Sequence, residues 1–425
     1  MAAAPLLGAA AVRPSGLALT CLGNGSVTED TPRVFDTRDE QGSGAGTIEW
    51  LQLDGIRALA QRLQSSDLWL SSQCMQRFLR TQRALGRILE RQALMPLFAS
   101  TEHAQLSGRY QRNELFQPIR MRLPLILAFG GEIGAGLHEL LFTDKTRREA
   151  VSRTCALFNL GISLFDRVCD GPREGFAGLQ AVFDEQVLHR LASGDGTDNS
   201  LRRAASVAPD PSIRTLLILI LGFFTEMQQL DGSPAARRRI NEALIEAYRA
   251  EMATMTKSAD GIGLAERTNA ARRKSTLPFI VMLAVARQCG DQTTGDVAQA
   301  EGLVECLGAV FSLTDDLVDL ARDYRSGDAN TILLGAGARR PSASRLGQYH
   351  KALCERQIPL AVDGIVTNLA AAAEITELSA AAGDVRHFRD VLVGYTQSWL
   401  RADRYDLTAA SSSAPLPQPS ARRPQ

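Results

Sequence analysis

What this sequence lacks narrows its class before any motif is read. The longest apolar run, residues 216–224, is too short to cross a bilayer, so no transmembrane segment is expected. The first residues are rich in alanine but have no basic stretch ahead of an apolar one, so no secretory signal is read there. Formal net charge is zero and no zinc-ligand spacing occurs, so nothing favours nucleic acid as a partner. Aromatic residues make up only 6% and strand-like alternation is scarce. The seven cysteines (Cys21, Cys74, Cys155, Cys169, Cys289, Cys306 and Cys354) are odd in number and form no CxxC pair, which argues against a disulfide framework. Five of them sit in apolar helical context, where free cysteine behaves as a small hydrophobe. A reducing, cytoplasmic location is the expectation.

What is present is length, apolar content and helix-forming composition. The chain has 425 residues, 45% of them hydrophobic, with abundant alanine and leucine. That predicts an all-α fold with a large core. Residues 1–45 read as a disordered leader, 46–406 as one all-α domain, and 407–425 as a disordered tail. Helical patterning is expected to begin at Thr47, and residues 193–212 to form a surface loop. A second helix over residues 74–94 carries Arg77, Arg80, Arg83, Arg87 and Arg91 every three or four residues, a basic face for solvent or a partner. Gly130, Gly131, Gly134 and Gly136 do not follow a strand in a GxGxxG pattern, so they read as close helix contacts and not as a dinucleotide loop.

The chemistry concentrates in residues 311–330, FSLTDDLVDLARDYRSGDAN. Leu303, Leu307, Val310 and Phe311 recur at helical spacing and lead a buried helix into the motif. Asp315, Asp319 and Asp323 follow i, i+4, i+8 and share one face, with Asp316 beside them. Like charges at that spacing repel, and unpaired carboxylates near an apolar core are costly. Oxygen-only ligands on one face suit a hard cation such as Mg²⁺, which takes one or two carboxylates together with waters and a substrate phosphate. Arg322 and Arg325 are candidates for ordinary salt bridges within the cluster. Gly327, Asp328 and Asn330 mark the helix end and a turn.

A second acidic pair closes an earlier apolar helix. Residues 154–175 run TCALFNLGISLFDRVCDGPREG, and Asp166 and Asp170 are i, i+4 just before a Gly-Pro stop. The negative end of the helix dipole lies there, so two carboxylates are better explained by a bound cation than by helix stability. About forty residues before Asp315, Arg272, Arg273 and Lys274 form a basic cluster at the mouth of an apolar helix, suited to phosphate oxygens or to an exposed turn.

Taken together, these motifs resemble the class I isoprenoid synthases over roughly residues 50–406. FDRVCDG is similar to the DxxxD metal motif of the large terpene synthase branch, the tetraprenyl-β-curcumene synthase-like group. The central stretch is similar to that branch's second motif with its GDxN turn, here Gly327, Asp328, Ala329 and Asn330. Arg404 and Tyr405 resemble the RY pair of bacterial cyclases. Two departures stand out. DDLVD with Phe311 ahead of it also resembles the second aspartate-rich motif of chain-elongating synthases, whose first motif and following paired arginines this chain does not match. Asp315, Asp319 and Asp323 stand where cyclases carry an Asn, Ser, Glu triad.

The resemblance implies a helical bundle in which two acidic helices face an apolar pocket. It implies Mg²⁺, or Mn²⁺ in its place, held by Asp166, Asp170, Asp315, Asp316, Asp319 and Asp323. Asp166, Asp170, Asp315, Asp319 and Asp323 would be catalytic, and Arg272, Arg273, Lys274, Arg404 and Tyr405 would bind a prenyl diphosphate. The implied reaction is ionisation of that substrate followed by cyclisation or rearrangement, with diphosphate released. Phe158, Phe165, Phe223, Phe279, Phe311 and Trp399 are candidates to line the pocket. The alternatives are a chain-elongating or head-to-head prenyltransferase, and an inactive helical partner subunit. A transient membrane contact and the oligomeric state stay open.

Overall fold

The computed structural model describes residues 41–99, 123–142, 146–169, 173–192, 199–208, 210–230, 232–255, 264–288, 296–328, 330–337, 341–378 and 385–400. Every regular element among them is helical. The elements that build the site are α1 (Gln41–Ser65), α2 (Ser72–Leu89), α3 (Leu123–Leu141), α4 (Arg148–Cys169), α5 (Pro211–Gln228), α6 (Pro234–Met255), α7 (Leu264–Arg287), α8 (Val297–Val318), α9 (Leu320–Ser326), α10 (Ile358–Leu378) and α11 (Val385–Trp399). A π turn, Glu90–Leu94, continues α2 into Met95–Ala99. Short helices fill several connections, among them Glu185–Ala192, Asn199–Val207 and Thr331–Gly335.

α3 is buried on nearly every side, as expected of a helix that is apolar all round. It packs most extensively on α4, and also on α2, α7, α8 and α11. Its glycines make this possible. A Cβ on Gly130 would stand 2.5 Å from the Asn159 Cβ, and one on Gly134 would stand 2.5 Å from the Cys155 Sγ. The close helix contact read from those glycines is therefore present. α7 packs on α6 and α8 at a second tight crossing, where a Cβ on Gly308 would stand 2.0 Å from the Thr276 Oγ1. Buried apolar side chains from Ile48 to Leu400 join in one hydrophobic cluster.

Three expectations are corrected. α1 begins at Gln41 and not at Thr47, because the glycine-rich stretch ahead, a poor helix former alone, continues the helix. The expected loop at 193–212 contains the helix Asn199–Val207, which packs on α5. Arg272, Arg273 and Lys274 lie inside α7 and not at its mouth. Two helical stretches, Val297–Val318 and Ala343–Glu377, are long and apolar enough to cross a membrane by length and composition, with 50% and 44% of their most apolar windows buried in the bundle. Each carries scattered polar residues, and both pack here as core helices. The 407–425 tail and all but the last five residues of the leader lie outside the described residues.

Candidate active site

The acidic stretch is not one uninterrupted helix. α8, capped at its start by the Asp296 carboxylate on the amides of Ala298 and Gln299, ends at Val318. Asp319 has φ −100° and ψ 4°, and α9 starts at the next residue. The register survives the break: the Asp319 amide donates to the Asp315 carbonyl at 2.9 Å, and the Asp323 amide to the Asp319 carbonyl at 2.9 Å. The i, i+4, i+8 face therefore holds. Gln52 of α1 bridges the break, donating to the Val318 carbonyl and accepting from the Ala321 amide. Gly327, in the left-handed region at φ 77°, ends α9.

Asn330 ties the stretch together. It is 1% exposed, and its Nδ2 donates to the Asp316 carbonyl at 2.7 Å and to the Asp323 Oδ2 at 3.0 Å. Its Oδ1 accepts from the amides of Ile332 and Leu333, capping Thr331–Gly335. The Asp316 carboxylate accepts from the amide and hydroxyl of Thr331. Asp323 has both oxygens bonded, the second accepting from the Arg322 Nε at 3.2 Å. Asp316 and Asp323, expected as metal ligands, are thus already engaged in holding the turn. Arg322 also pairs with Asp319 at 3.0 Å, while Arg325 turns outward to Glu49.

Asp315 differs from the other three. Its side chain is exposed at the acidic end, and no hydrogen bond or ion pair reaches it among the described residues. Its carboxyl is pushed from 3.8 to about 7, first by desolvation in a crowded crevice and then by the charges of Asp319, Asp316, Asp166 and Asp323. The side chain touches water, yet protein atoms crowd it closely enough to hinder its hydration. Burial likewise raises the Asp316 carboxyl to about 7, against the lowering effect of the Thr331 bonds. Burial is also the leading cause of the upward shift at Asp323, opposed by Asn330 and Arg322.

The charge of Asp166 contributes to the shift at Asp315, so the ends of α4 and α8, whose acidic motifs are 149 residues apart in sequence, lie within electrostatic reach of each other. Asp166 accepts from the Lys274 Nζ at 2.8 Å, and the same ammonium lies 2.9 Å from Glu251 of α6, whose side chain is 4% exposed. Burial alone would lower the Lys274 pKa, but the Asp166 and Glu251 charges outweigh it and hold the group above its ordinary value. Only this member of the basic cluster faces the acidic end. Arg273 pairs outward with Glu246 at 2.9 Å and Arg272 lies 4.0 Å from Glu305, so the structure does not bring either to Asp315. Asp170, Arg404 and Tyr405 lie outside the described residues.

Glu251 and Gln52 were not singled out in the sequence. Glu251 carried a signal, since it lies four residues after Ala247 and seven after Leu244 on the apolar side of an amphipathic helix. Gln52 carried none.

Beside this end lies an apolar cavity of about 80 Å³, open at its mouth. Phe158, Gly161 and Phe165 of α4, Phe223 of α5, and Ala247 and Tyr248 of α6 help line it. Phe165 precedes Asp166, and Tyr248 lies one turn before Glu251, so the cavity adjoins the Asp166–Lys274–Glu251 cluster. Phe279, Phe311 and Trp399 do not line it. Phe279 and Phe311 pack edge-on against Phe129, and Trp399 against Phe311, with Phe129–Phe311 centroids 5.2 Å apart and Phe311–Trp399 centroids 5.6 Å apart.

No group of three His, Cys, Asp or Glu side chains placed to hold a metal ion occurs among the described residues. The donor set still fits Mg²⁺, which needs only one or two carboxylates when waters and a phosphate complete its shell. Asp315 and Asp319 supply two on one face, and Asp166, paired with Lys274, lies within electrostatic reach of Asp315.

No protein-family model matches the chain. No curated protein matches it. Among solved structures, the chain is similar to linalool/nerolidol synthase from Streptomyces clavuligerus at 14% identity and TM-score 0.37, over 68% of this chain and 93% of that one. The same synthase in complex with 2-fluorogeranyl diphosphate gives 14% identity and TM-score 0.37, over 69% and 92%. So loose an overlap assigns no residue a role.

Proposed function

We propose that this chain is a class I terpene synthase, ionising a linear prenyl diphosphate with Mg²⁺ and converting it to a cyclic or rearranged product with release of diphosphate. The observation that carries this reading is Asp315, an exposed carboxylate that no hydrogen bond or ion pair reaches among the described residues, crowded by carboxylates on its own stretch and by Asp166 and attracted only at longer range by Arg322. Such crowding is unfavourable until a cation joins it. Asp315 and Asp319 would hold Mg²⁺ on one side and Asp166 on the other. Bound there, the metal supplies Lewis-acid stabilisation of the departing diphosphate.

The protein's own groups do the rest. Lys274 is a fixed positive charge beside Asp166, placed to hold oxygens on which negative charge develops. Arg322 orients Asp319. Asn330 and Thr331 fix the carboxylates of Asp323 and Asp316, so that the face bearing Asp315 is rigid. The adjoining cavity, lined by apolar side chains, presents aromatic rings whose faces would stabilise an allylic cation.

The test is incubation with single prenyl diphosphates of graded length and Mg²⁺, with and without isopentenyl diphosphate, and mass analysis of products. Hydrocarbon or alcohol products from one prenyl diphosphate alone support the reading. Strict dependence on isopentenyl diphosphate, with a longer linear diphosphate as the product, would replace it with chain elongation.

A further inference from the structure

The outer face of α2 has no role in the site. From Ser72 to Ala99 the chain carries five arginines and a single acidic residue, Glu90. Arg77, Arg80, Arg83, Arg87 and Arg91 are all exposed, and none has an ion pair or side-chain hydrogen bond among the described residues. Other arginines find acids: Arg148 pairs with Glu139, Arg153 with Glu226, Arg249 with Glu185. The opposite face of α2 is committed, with Phe78, Gln82, Gly86 and Leu89 buried. Guanidinium groups three and four residues apart repel one another along a helix. Five without a counter-charge therefore favour an external anion.

The side chains between the arginines indicate its kind. Ile88 is 40% exposed and Met95 43% exposed, among the few large apolar side chains on the surface. Ile88 lies eleven residues from Arg77 and three from Arg91, and Met95 a further seven on, so both stand on the arginine strip. No aromatic side chain is exposed on that strip to stack a base, which a nucleic-acid surface of this kind would use. The continuous rod of α2, the π turn and Met95–Ala99 presents the strip, from Arg77 to Met95, along roughly 27 Å.

We propose that this face docks the protein on an anionic lipid bilayer, with the arginines at headgroup level and Ile88 and Met95 entering the interface. The proposal does not depend on the catalytic reading. A protein docked this way lies beside the phase into which long apolar tails partition.

The experiment is sedimentation of the full-length protein with vesicles of phosphatidylcholine alone and with vesicles containing one-third phosphatidylglycerol, over a salt series. Binding is expected only to the anionic vesicles and should weaken as salt rises. Each arginine near such a surface contributes about a factor of five, so Arg80→Ser/Arg87→Ser should bind about 25-fold more weakly. Ile88→Ser/Met95→Ser should bind more weakly than wild type at every salt concentration. Unchanged melting of both variants would show that the loss is one of docking. Absence of binding to anionic vesicles, equal binding to neutral ones, or wild-type binding by the arginine variant would overturn the proposal. So would tighter binding to RNA than to anionic vesicles.

Discussion

Replacing Asp315 by asparagine should stabilise the metal-free protein. The carboxyl rises from 3.8 to about 7 because the folded state hinders its hydration and surrounds it with like charge. Between those values the folded chain binds more protons at this position than the unfolded chain, so this group's contribution to stability falls as pH rises towards 7 and is lowest above it. Counted in full, the shift would correspond to about 4 kcal/mol. Asp315 is exposed and water screens it, so about 1 kcal/mol is the expected share. In a chain of this size that is a rise of about 1–2 °C in Tm.

The assay is thermal unfolding of wild type and Asp315→Asn at pH 8 and at pH 5, each with EDTA and with excess Mg²⁺. With EDTA the variant should melt higher at pH 8, and the gap should narrow at pH 5, towards the range in which the wild-type carboxyl takes up its proton in the fold. Mg²⁺ should raise the Tm of wild type at pH 8 and raise that of the variant less. A variant that melts lower than wild type at pH 8 would refute the reasoning, because it would mean that the attraction of Arg322 outweighs the desolvation and the crowding carboxylates.

Lys274→Met should cost about 3–5 kcal/mol by leaving Glu251 buried without its cation, and Lys274→Met/Glu251→Leu should recover most of that in denaturant titrations. If the double variant is no more stable than the single, the two groups are not coupled. Asn330→Ala removes four hydrogen bonds at a buried position and should cost about 3 kcal/mol; a loss under 1 kcal/mol would mean that the turn holds without it. A Cβ on Gly161 would meet no atom within 4 Å, so Gly161→Ala should gain up to about 1 kcal/mol, whereas Gly134→Ala must displace Cys155 and should melt lower. Equal effects of the two alanines would contradict the packing described.

The helical class was legible because apolar residues recur at helical spacing along the chain, from Leu303 and Leu307 to Phe311. Asp315 and Asp319 on one face followed from the same period. The break at Asp319 did not, because the group bridging it, Gln52, comes from a helix more than 260 residues earlier. The engagement of Asp316 and Asp323 was hidden for a related reason: Asn330 and Thr331 read as an ordinary turn until their side chains are seen to reach back. The basic cluster was partly legible. Three consecutive helical residues point about 100° apart, so Arg272, Arg273 and Lys274 could not all face α4. Which one does so depends on how α7 is rotated against α4 and α6.

The central claim is that Asp315 and Asp319 carry metal-dependent ionisation of a prenyl diphosphate. The direct measurement is diphosphate release from geranyl, farnesyl and longer prenyl diphosphates by wild type, Asp315→Asn and Asp319→Asn, each shown to be folded by its melting curve. Wild type should release diphosphate with Mg²⁺, stop with EDTA and resume when Mg²⁺ is restored, while each variant should be slower by two orders of magnitude or more, equivalent to about 3 kcal/mol in the transition state. Release by wild type that persists in EDTA, or folded variants that match wild type, would contradict the account.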